Sequence, residues 1–420
     1  MALLGRSDIL DKINQNIDVH RLSCNNLNCH YLEDIKKELR YSVLSHRWGD
    51  HEIVFHHMQM PSEELAKIWE LSSTSEKLMM LRNIVPSATG PSIDKISWFL
   101  DISKTKGCQY AWMDTICINK GSSSELDESI RSMYGWYRDS YICIVHLSKT
   151  VLNSHLGNDP WFTRGWTLQE LLAPSRFAFY SKDWKQLTRV DCTKRSFKQA
   201  KQRDEESESR LWTYVEKVTG IDAEDLHNFK PGVFDIRKRM SWISRRTTTR
   251  IEDMAYCLIG IFNVNLSTAY GEKEAAFYRL QMEILQSSND ISIFDWQGQA
   301  SIFNSMLAKS PACFTQYFGL RKDTSLPAGD DPTFVRTNVG IRIPLAIYPL
   351  SQQVLSSLGL NLPKTPTVFS ILGASPKPDH YVMLLLGEGD QPRQYERLAL
   401  VEVALNMNFF HRDPVAIYIK

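Results

Sequence analysis

Residues 41–50 read YSVLSHRWGD, and this stretch decides the fold. Its opening run, YSVLS, is rich in aromatic and aliphatic residues on both alternating faces, which is typical of a strand buried on both sides in a parallel sheet. Polar residues follow at once, where the strand must end. Because ligands bind at the carboxyl ends of parallel strands, the same stretch predicts an interior strand and one wall of a binding site.

Further short apolar runs of the same kind follow along the chain, at residues 110–114 (YAWMD), 141–147 (YICIVHL) and 177–180 (FAFY). Helical patterns lie between them, at residues 92–106, 125–138 and 167–173, the last stopped by Pro174. This alternation predicts an α/β fold, a doubly wound parallel sheet over about residues 40–190. The interval between residues 50 and 91 is long for a crossover and predicts additional helix.

The sequence then changes character. Residues 193–210 (TKRSFKQAKQRDEESESR) carry charges of both signs, which predicts a linker or a solvated helix face. A helical block follows, in which Thr249 and Glu252 have the spacing of a capping box. Apolar residues recur at helical spacing over 251–259, and a second helix is predicted over about 274–286.

From about residue 301 the pattern becomes one of short alternating runs separated by proline and glycine, for example VGIRIPLAIY and YVMLLLG. Such runs predict an antiparallel β-rich domain. The predicted domains are therefore residues 1–193, 194–300 and 301–420.

Composition limits the classes of function. The chain has 420 residues, 43% of them hydrophobic, and a formal net charge of +1, so no overall charge favours nucleic acid or an acidic membrane. No apolar run reaches the ~20 residues that span a bilayer, and the N-terminal residues lack the apolar stretch of a secretion signal. Cysteines lie mostly inside apolar runs, as reduced, buried thiols do. We therefore expect a cytoplasmic protein without a membrane span.

Several kinds of reactive site are not supported by the sequence. Metal-ligand residue types occur near the N-terminus, at His20, Cys24, Cys29 and His30. Their spacing fits no zinc pattern, so no metal is predicted. Cys117 lies between two isoleucines and is predicted to be a packed thiol, and His51, His56 and His57 are predicted to be solvated. The chain contains no P-loop and no G-x-S-x-G elbow.

Polar and aromatic residues gather where the predicted strands end. The candidate site residues are Ser45, Arg47, Trp48, Gly49, Asp114, Asn119, Arg164, Trp166 and Glu170. Trp166 and Glu170 share a helix face, where an indole can stack on a planar base and a carboxylate can bind ribose hydroxyls. Arg47 and Arg164 could hold phosphates. We therefore predict one cavity with a nucleotide as its candidate ligand.

These residues also have structural interpretations, which the sequence leaves open. Asp114 and Asn119 could cap a helix or shape a turn. Arg164 could form a structural ion pair with Glu170 or Asp114, and Glu170 could be an ordinary ion-paired or surface carboxylate. The tryptophans could instead fill the core, which is our prediction for Trp112, inside a strand.

The same segments resemble the fungal heterokaryon incompatibility (HET) domain. YSVLSHRWGD, YAWMDTICINK with the following SMYGWYRDS, and WFTRGWTLQELLAPS are similar to its blocks and occur in the same order. RMSWISRRTTTRIEDMAYCLIGIFNVNLSTAYGE and AFYRLQMEILQSSNDISIFDW resemble the segment that often follows, so the likeness covers residues 1–300. It departs at His46, Lys120 and Lys273, where Tyr, Gln and Gly are usual. The resemblance implies a protein that triggers programmed cell death in vegetative incompatibility, through self-association or protein partners.

YSVLSHRWGD and WTLQELL are also similar to two blocks of TIR domains, known from innate immunity. That resemblance implies a TIR/flavodoxin-like sheet. Enzymatic TIR domains cleave NAD with the glutamate of the second block, here Glu170, which makes NAD a candidate substrate with no cofactor required. A carboxylate beside the ribose would stabilise the oxocarbenium-like charge that develops as the glycosidic bond breaks. Two hypotheses thus remain: an association module, and an NAD-cleaving enzyme activated by self-association.

Overall fold

The fold was analysed in a computed structural model of the chain. The structure describes residues 40–49, 52–58, 71, 74–84, 90–151, 156–188, 191–193, 206–319, 333–362, 364–405 and 414–420. Contacts divide the chain into two compact units, Met1–Phe229 and Lys230–Lys420. The division at residues 193 and 300 stays a prediction. The metal-type residues near the N-terminus and most of the charged stretch lie outside the described residues.

The first unit contains a parallel sheet with flanking helices. Its strands are β1 (Tyr41–His46), β2 (Tyr110–Trp112), β3 (Ile142–His146), β4 (Arg176–Tyr180) and β5 (Cys192–Thr193). Its helices are α1 (Thr74–Ile84), α2 (Gly90–Thr105), α3 (Asp114–Cys117), α4 (Ser123–Arg138), α5 (Thr167–Leu172), α6 (Glu206–Thr219) and α7 (Ala223–Asn228). The strand order is β2-β1-β3-β4-β5, with all neighbours parallel except β4 and β5. The predicted parallel α/β sheet is confirmed.

Helices cover both faces of this sheet. On β1, the Ser42 hydroxyl lies 2.6 Å from the hydroxyl of Ser103 on α2, and the Ser45 hydroxyl lies 2.5 Å from the carboxylate of Glu170 on α5. Positions three apart on a strand point to opposite faces, so α2 and α5 lie on opposite sides. From β1 the chain passes to β2 on one side and later returns to β3 on the other, which places a switch point between β1 and β3.

The core follows from strands that are apolar on both faces. Val43 and Leu44 of β1 are fully buried, as are all residues of β3 before its terminal histidine. The Tyr137 hydroxyl on α4 donates to the Leu44 carbonyl at 3.0 Å and ties that helix to β1. Trp112 is buried edge-on against Trp136 and Tyr137, so its predicted core role is confirmed.

Polar residues lie at the boundaries of β2 and of the two helices that follow it, α3 and α4. The strand predicted to reach residue 114 ends at Trp112, and the backbone turns into α3 at Asp114. Helix α4 begins after Ser122, whose hydroxyl accepts the backbone N–H of Glu125 at 3.4 Å, a standard helix cap. The additional helix predicted between residues 50 and 91 is confirmed by α1 and by a short 3₁₀ turn, Phe55–Met58.

The second unit is helical at first and β-rich afterwards. Its helices are α8 (Ile236–Ile243), α9 (Asp253–Tyr256), α10 (Ile259–Phe262), α11 (Ala275–Ser287) and α12 (Gln352–Ser357). Its strands are β6 (Ala300–Ser301), β7 (Asn304–Ala308), β8 (Val335–Thr337), β9 (Gly340–Leu345), β10 (Tyr348–Pro349), β11 (Val368–Ala374), β12 (His380–Glu388), β13 (Gln394–Ala404) and β14 (Val415–Ile419). The larger sheet has the order β10-β11-β12-β13-β14-β9-β8, and β6 pairs with β7. The β-rich prediction is confirmed, although β13 and β14 run parallel.

The predicted capping box in this unit is wrong. Helix α9 begins only at Asp253, and the predicted continuous helix over 251–259 is divided between α9 and α10. The carboxylate of Glu252 instead accepts the backbone N–H groups of Gly271, at 2.8 Å, and Lys273, at 3.1 Å. It is therefore committed to a distant turn. The second predicted helix is confirmed by α11.

We predict that Leu44→Ala lowers the free energy of unfolding of the first unit by about 2–5 kcal/mol, because the removed atoms leave a cavity in a fully buried strand. Met79→Ala is the control, since Met79 on α1 is 67% exposed, and it should change the free energy by no more than about 0.5 kcal/mol. Urea unfolding of both variants, followed by circular dichroism, measures the difference. Equal midpoints would contradict the assignment of β1 as a buried interior strand.

Candidate functional site

A buried carboxylate lies at the carboxyl end of β1. Glu170 on α5 is only 6% exposed, and the Ser45 hydroxyl donates to its Oε2 at 2.5 Å. The indole N–H of Trp161 donates to the same hydroxyl at 2.7 Å. Because an indole nitrogen can only donate, Ser45 accepts from Trp161 and directs its own hydrogen to Glu170. The carboxylate is therefore oriented by a two-step relay from a fully buried tryptophan.

The loop after β3 holds this relay in place. Buried Asp159 accepts the backbone N–H groups of Trp161, at 3.0 Å, and Lys149, at 2.8 Å. The hydroxyl of Thr167, the first residue of α5, donates to the Trp161 carbonyl at 2.5 Å. Trp161 is thus fixed on both sides by short-range polar contacts. The sequence suggested only a core role for it, and its indole N–H beside a polar strand end was the available signal.

A second group surrounds Trp48. The Trp48 indole N–H donates to Asp114 Oδ2 at 2.8 Å. The Lys120 ammonium lies 3.2 Å from the Trp48 ring centroid, and the Arg164 guanidinium carbon lies 5.4 Å from it, so both cations face the aromatic ring. Burial raises the pKa of Asp114, while Lys120 and Arg164 oppose that rise. The structure therefore joins Trp48, Asp114 and Arg164, and adds Lys120.

His46 lies between these two groups and was not predicted as a site residue. Its Nδ1 is 4.0 Å from Asp114 Oδ1 and its Nε2 is 3.8 Å from Glu52 Oε1. Among the described residues, neither ring nitrogen has a hydrogen-bond partner. Glu52 is paired with Lys95 and accepts the Gly49 backbone N–H at 2.7 Å. Burial lowers the pKa of His46, as does the nearby Lys95, so the imidazole is neutral at pH 7.

A second buried histidine lies beside the first, since the β1–β3 register pairs His46 with His146. Trp184 stacks on the His146 ring at 4.2 Å, with only 6° between the planes. Trp184 has a φ of 57°, an unusual conformation for a bulky residue. Burial lowers the pKa of His146 to about 4. Two neutral imidazoles thus occupy the carboxyl ends of the two strands at the switch point.

The other predicted site residues contribute only backbone contacts to these groups: the Trp166 carbonyl accepts the Glu170 backbone N–H at 3.4 Å, and the Gly49 backbone N–H donates to Glu52 at 2.7 Å. Arg47 and Gly49 are exposed, and Trp166 is half-buried just before α5. The Asn119 side chain accepts the Gly121 backbone N–H at 3.0 Å, which supports its interpretation as a turn residue. The single cavity stays a prediction.

The predictions for Cys117 and for the three histidines between residues 51 and 57 have different outcomes. Cys117 is buried, as expected of a packed thiol. His56 is exposed, as predicted, whereas His57 is half-buried and its Nδ1 accepts the Val54 backbone N–H at 3.1 Å. His51 lies outside the described residues.

Metal-type clusters and membrane-spanning helices are considered for the part of the chain that the structure describes. No cluster of three or more histidine, cysteine, aspartate or glutamate residues in that part has the geometry to hold a metal ion. None of its helices is both long enough and apolar enough to cross a bilayer.

Comparison with known proteins gives the class. Residues 41–155 match the family model described as Heterokaryon incompatibility protein (HET), a range that includes β1, β2 and β3. Residues 41–155 of the chain therefore carry a HET domain. The match ends before Trp161, Arg164 and Glu170.

A curated relative is similar over a longer range. The chain is 35% identical over 256 residues to Vegetative incompatibility protein HET-E-1 of Podospora anserina. The aligned part is 58% of this chain but only 16% of that protein, so the chain spans about a sixth of the relative's length. No solved structure matches the chain.

We predict that Ser45→Ala lowers the free energy of unfolding of the first unit by about 1.5–3 kcal/mol, because it removes a hydroxyl donor from a buried carboxylate. Trp161→Phe keeps a ring but loses the indole N–H, and by itself it should lower the free energy of unfolding measurably. In the Ser45→Ala background the same change should lower that free energy little further. A double-mutant cycle by urea unfolding tests this. Ser123→Ala, at an exposed position, is the control, and strictly additive losses would rule out the relay.

We also predict that the first unit loses stability as pH falls from about 6.5 to about 4. In that window the unfolded chain holds a proton on His146 that the folded chain does not, so each pH unit costs at most about 1.4 kcal/mol and the whole window on the order of 3 kcal/mol. His46 contributes with the same sign. His146→Phe should therefore show a flatter dependence, measured by urea unfolding at a series of pH values, and the exposed-site variant His56→Asn should not. Parallel curves for all three proteins would contradict the buried neutral state.

Proposed function

We propose that this protein acts in heterokaryon incompatibility through its HET domain, as a signalling module that associates with itself or with protein partners and triggers programmed cell death. The observation that carries the proposal is the HET match over residues 41–155, which falls on the parallel sheet whose strand ends hold the polar cluster. The named relative is a vegetative incompatibility protein, which supports the same role. We expect this signalling to take place in the cytoplasm.

The second candidate is a TIR-like enzyme that cleaves NAD. Two observations favour it. The parallel strands follow the order β2-β1-β3-β4, as in flavodoxin-like sheets, in which a ligand binds at the switch point between β1 and β3. Glu170 is held at that end of the sheet by a hydroxyl donor, as a carboxylate that must face a ribose would be. The short antiparallel β5 departs from that pattern.

The enzyme hypothesis has a clear physical requirement. A negative charge near the ribose ring stabilises the oxocarbenium-like transition state more than the ground state, and it therefore accelerates bond cleavage. Glu170 is only 6% exposed, so a substrate can reach it only if the residues that cover it move. Self-association would supply that movement, and without it the isolated chain would be inactive. Activity therefore has to be measured in cells or in assembled protein.

We predict that Glu170→Gln reduces NAD consumption by about a hundredfold or more, equivalent to ~3 kcal/mol of barrier, if Glu170 is catalytic. The amide keeps an oxygen that can accept from Ser45 but carries no charge. The measurement is cellular NAD and viability after induced expression in a fungal host. Glu76→Gln is the matched control, because Glu76 is exposed on α1 of the same unit.

The outcomes separate the two candidates. Loss of NAD and death with the parent and with Glu76→Gln, but not with Glu170→Gln, would establish the enzyme. Death with unchanged NAD in every protein would leave the association module and remove the enzyme. Thermal melting of the purified proteins shows whether Glu170→Gln is folded. Ser45→Ala provides an independent change at the same carboxylate, because it removes the hydroxyl donor and keeps the charge of Glu170. Survival of cells expressing the parent chain would contradict the signalling role itself.

A further inference from the structure

The group around Trp48 has a graded exposure. Lys120 is exposed, Trp48 and Arg164 are half-buried, and His46 is buried at 3% exposure. The two cationic side chains are both directed at one aromatic ring, with the ammonium 3.2 Å and the guanidinium carbon 5.4 Å from the same centroid. Two long, flexible side chains are therefore gathered at one solvent-facing point at the carboxyl ends of β1 and β2.

Three cationic side chains, Lys95, Lys120 and Arg164, and two carboxylates, Glu52 and Asp114, act on the region around His46. Burial is the largest cause that lowers the pKa of His46, and Lys95, His146, Arg164 and Lys120 lower it further. Each of these groups disfavours an additional positive charge on the imidazole. Glu52 is paired with Lys95. Asp114 keeps its charge, because the Trp48 indole N–H that it accepts is neutral, and it interacts with both Lys120 and Arg164. Lys120 and Arg164 are thus two cations beside this one carboxylate, an arrangement that favours an anionic ligand.

His46 supplies an independent observation. Buried polar side chains are nearly always hydrogen-bonded, and an exception calls for a physical explanation. Both nitrogens of this imidazole lack a hydrogen-bond partner among the described residues, although Nδ1 faces Asp114 at 4.0 Å. A neutral imidazole offers one donor and one acceptor. Its unused capacity lies next to the group around Trp48, where a polar ligand would complete it.

We propose that Lys120, Arg164 and Trp48 form a binding site for the phosphate group of a ligand, with His46 beneath it. A lysine ammonium has three N–H donors and an arginine guanidinium has five, so both can bind phosphate oxygens while they keep other contacts. The guanidinium can bind two oxygens at once, and the ammonium adds a point charge. The Trp48 ring holds both cations in place, which reduces the entropy that they lose on binding.

The phosphate site can be tested independently of the chemistry proposed for Glu170, because binding can be measured without any reaction. It also adds Lys120, which lies outside the candidate site residues inferred from the sequence. The phosphate could come from free pyrophosphate or from a nucleotide, and both present the same charged oxygens to the site. The experiment therefore includes both sources.

The test is isothermal titration calorimetry of the full chain with pyrophosphate, ADP and adenosine. We expect pyrophosphate and ADP to bind and adenosine to give no heat. Lys120→Gln should weaken both by about tenfold or more, the loss expected for one charge-assisted contact, and Lys120→Arg should retain binding. Lys185→Gln is the control, because Lys185 is exposed in the same unit, and it should bind as the parent does. Added salt should weaken binding, since the site faces solvent.

Each outcome decides the proposal. Tighter binding of ADP than of pyrophosphate, with the Lys120→Gln loss, supports a nucleotide source, and the reverse order supports free pyrophosphate. Absence of heat with both phosphates at millimolar concentration overturns the site, as does an equal loss in Lys120→Gln and Lys185→Gln. Adenosine that binds as well as ADP overturns it too, because the base would then carry the affinity. Lys120 is exposed, so its substitution should leave folding unchanged, which thermal melting verifies.

Discussion

The hydrogen bonds of the Ser45 hydroxyl are the interaction on which the rest of the site depends. This hydroxyl accepts from the Trp161 indole and donates to Glu170, so it connects the end of β1, the loop after β3 and helix α5. A carboxylate buried against a parallel sheet without donors would be strongly destabilising. The relay removes that cost and fixes the direction of the carboxylate. The well-anchored loop at Asp159 and Thr167 is the structural consequence, since the indole must be held where its N–H meets Ser45.

Two buried histidines lie next to these hydrogen bonds, at the ends of β1 and β3. His46 and His146 end adjacent strands and lie side by side, both kept neutral chiefly by desolvation. Lys95, Arg164 and Lys120 act on His46, and the last two of these cations face the aromatic ring of Trp48. Proteins rarely place so many polar groups at one sheet edge for stability alone, because desolvation offsets the gain from pairing.

The HET match falls on the sheet whose strand ends hold the polar cluster. The family match covers Ser45 and His46 of β1 and Asp114 of α3, whereas Trp161 and Glu170 follow after the matched range. The carboxylate and the phosphate site can consequently be tested apart: the first by charge removal with NAD as the readout, the second by direct binding. An association module that also binds a phosphorylated ligand would link assembly to the state of the cell.

The sequence by itself determined the order and type of the elements in the first unit, because strands buried on both faces and amphipathic helices leave periodic apolar patterns. It also located the polar strand ends, since these interrupt the pattern at once. Only the tertiary structure decided which side chains meet. Ser45 and Glu170 are 125 residues apart, and Trp161 reaches Ser45 across 116. The contacts of Trp161, His46 and Lys120 were not predicted, and the Glu252 capping box was predicted wrongly, because a side chain's partner depends on strand register and loop path. Local spacing contains neither.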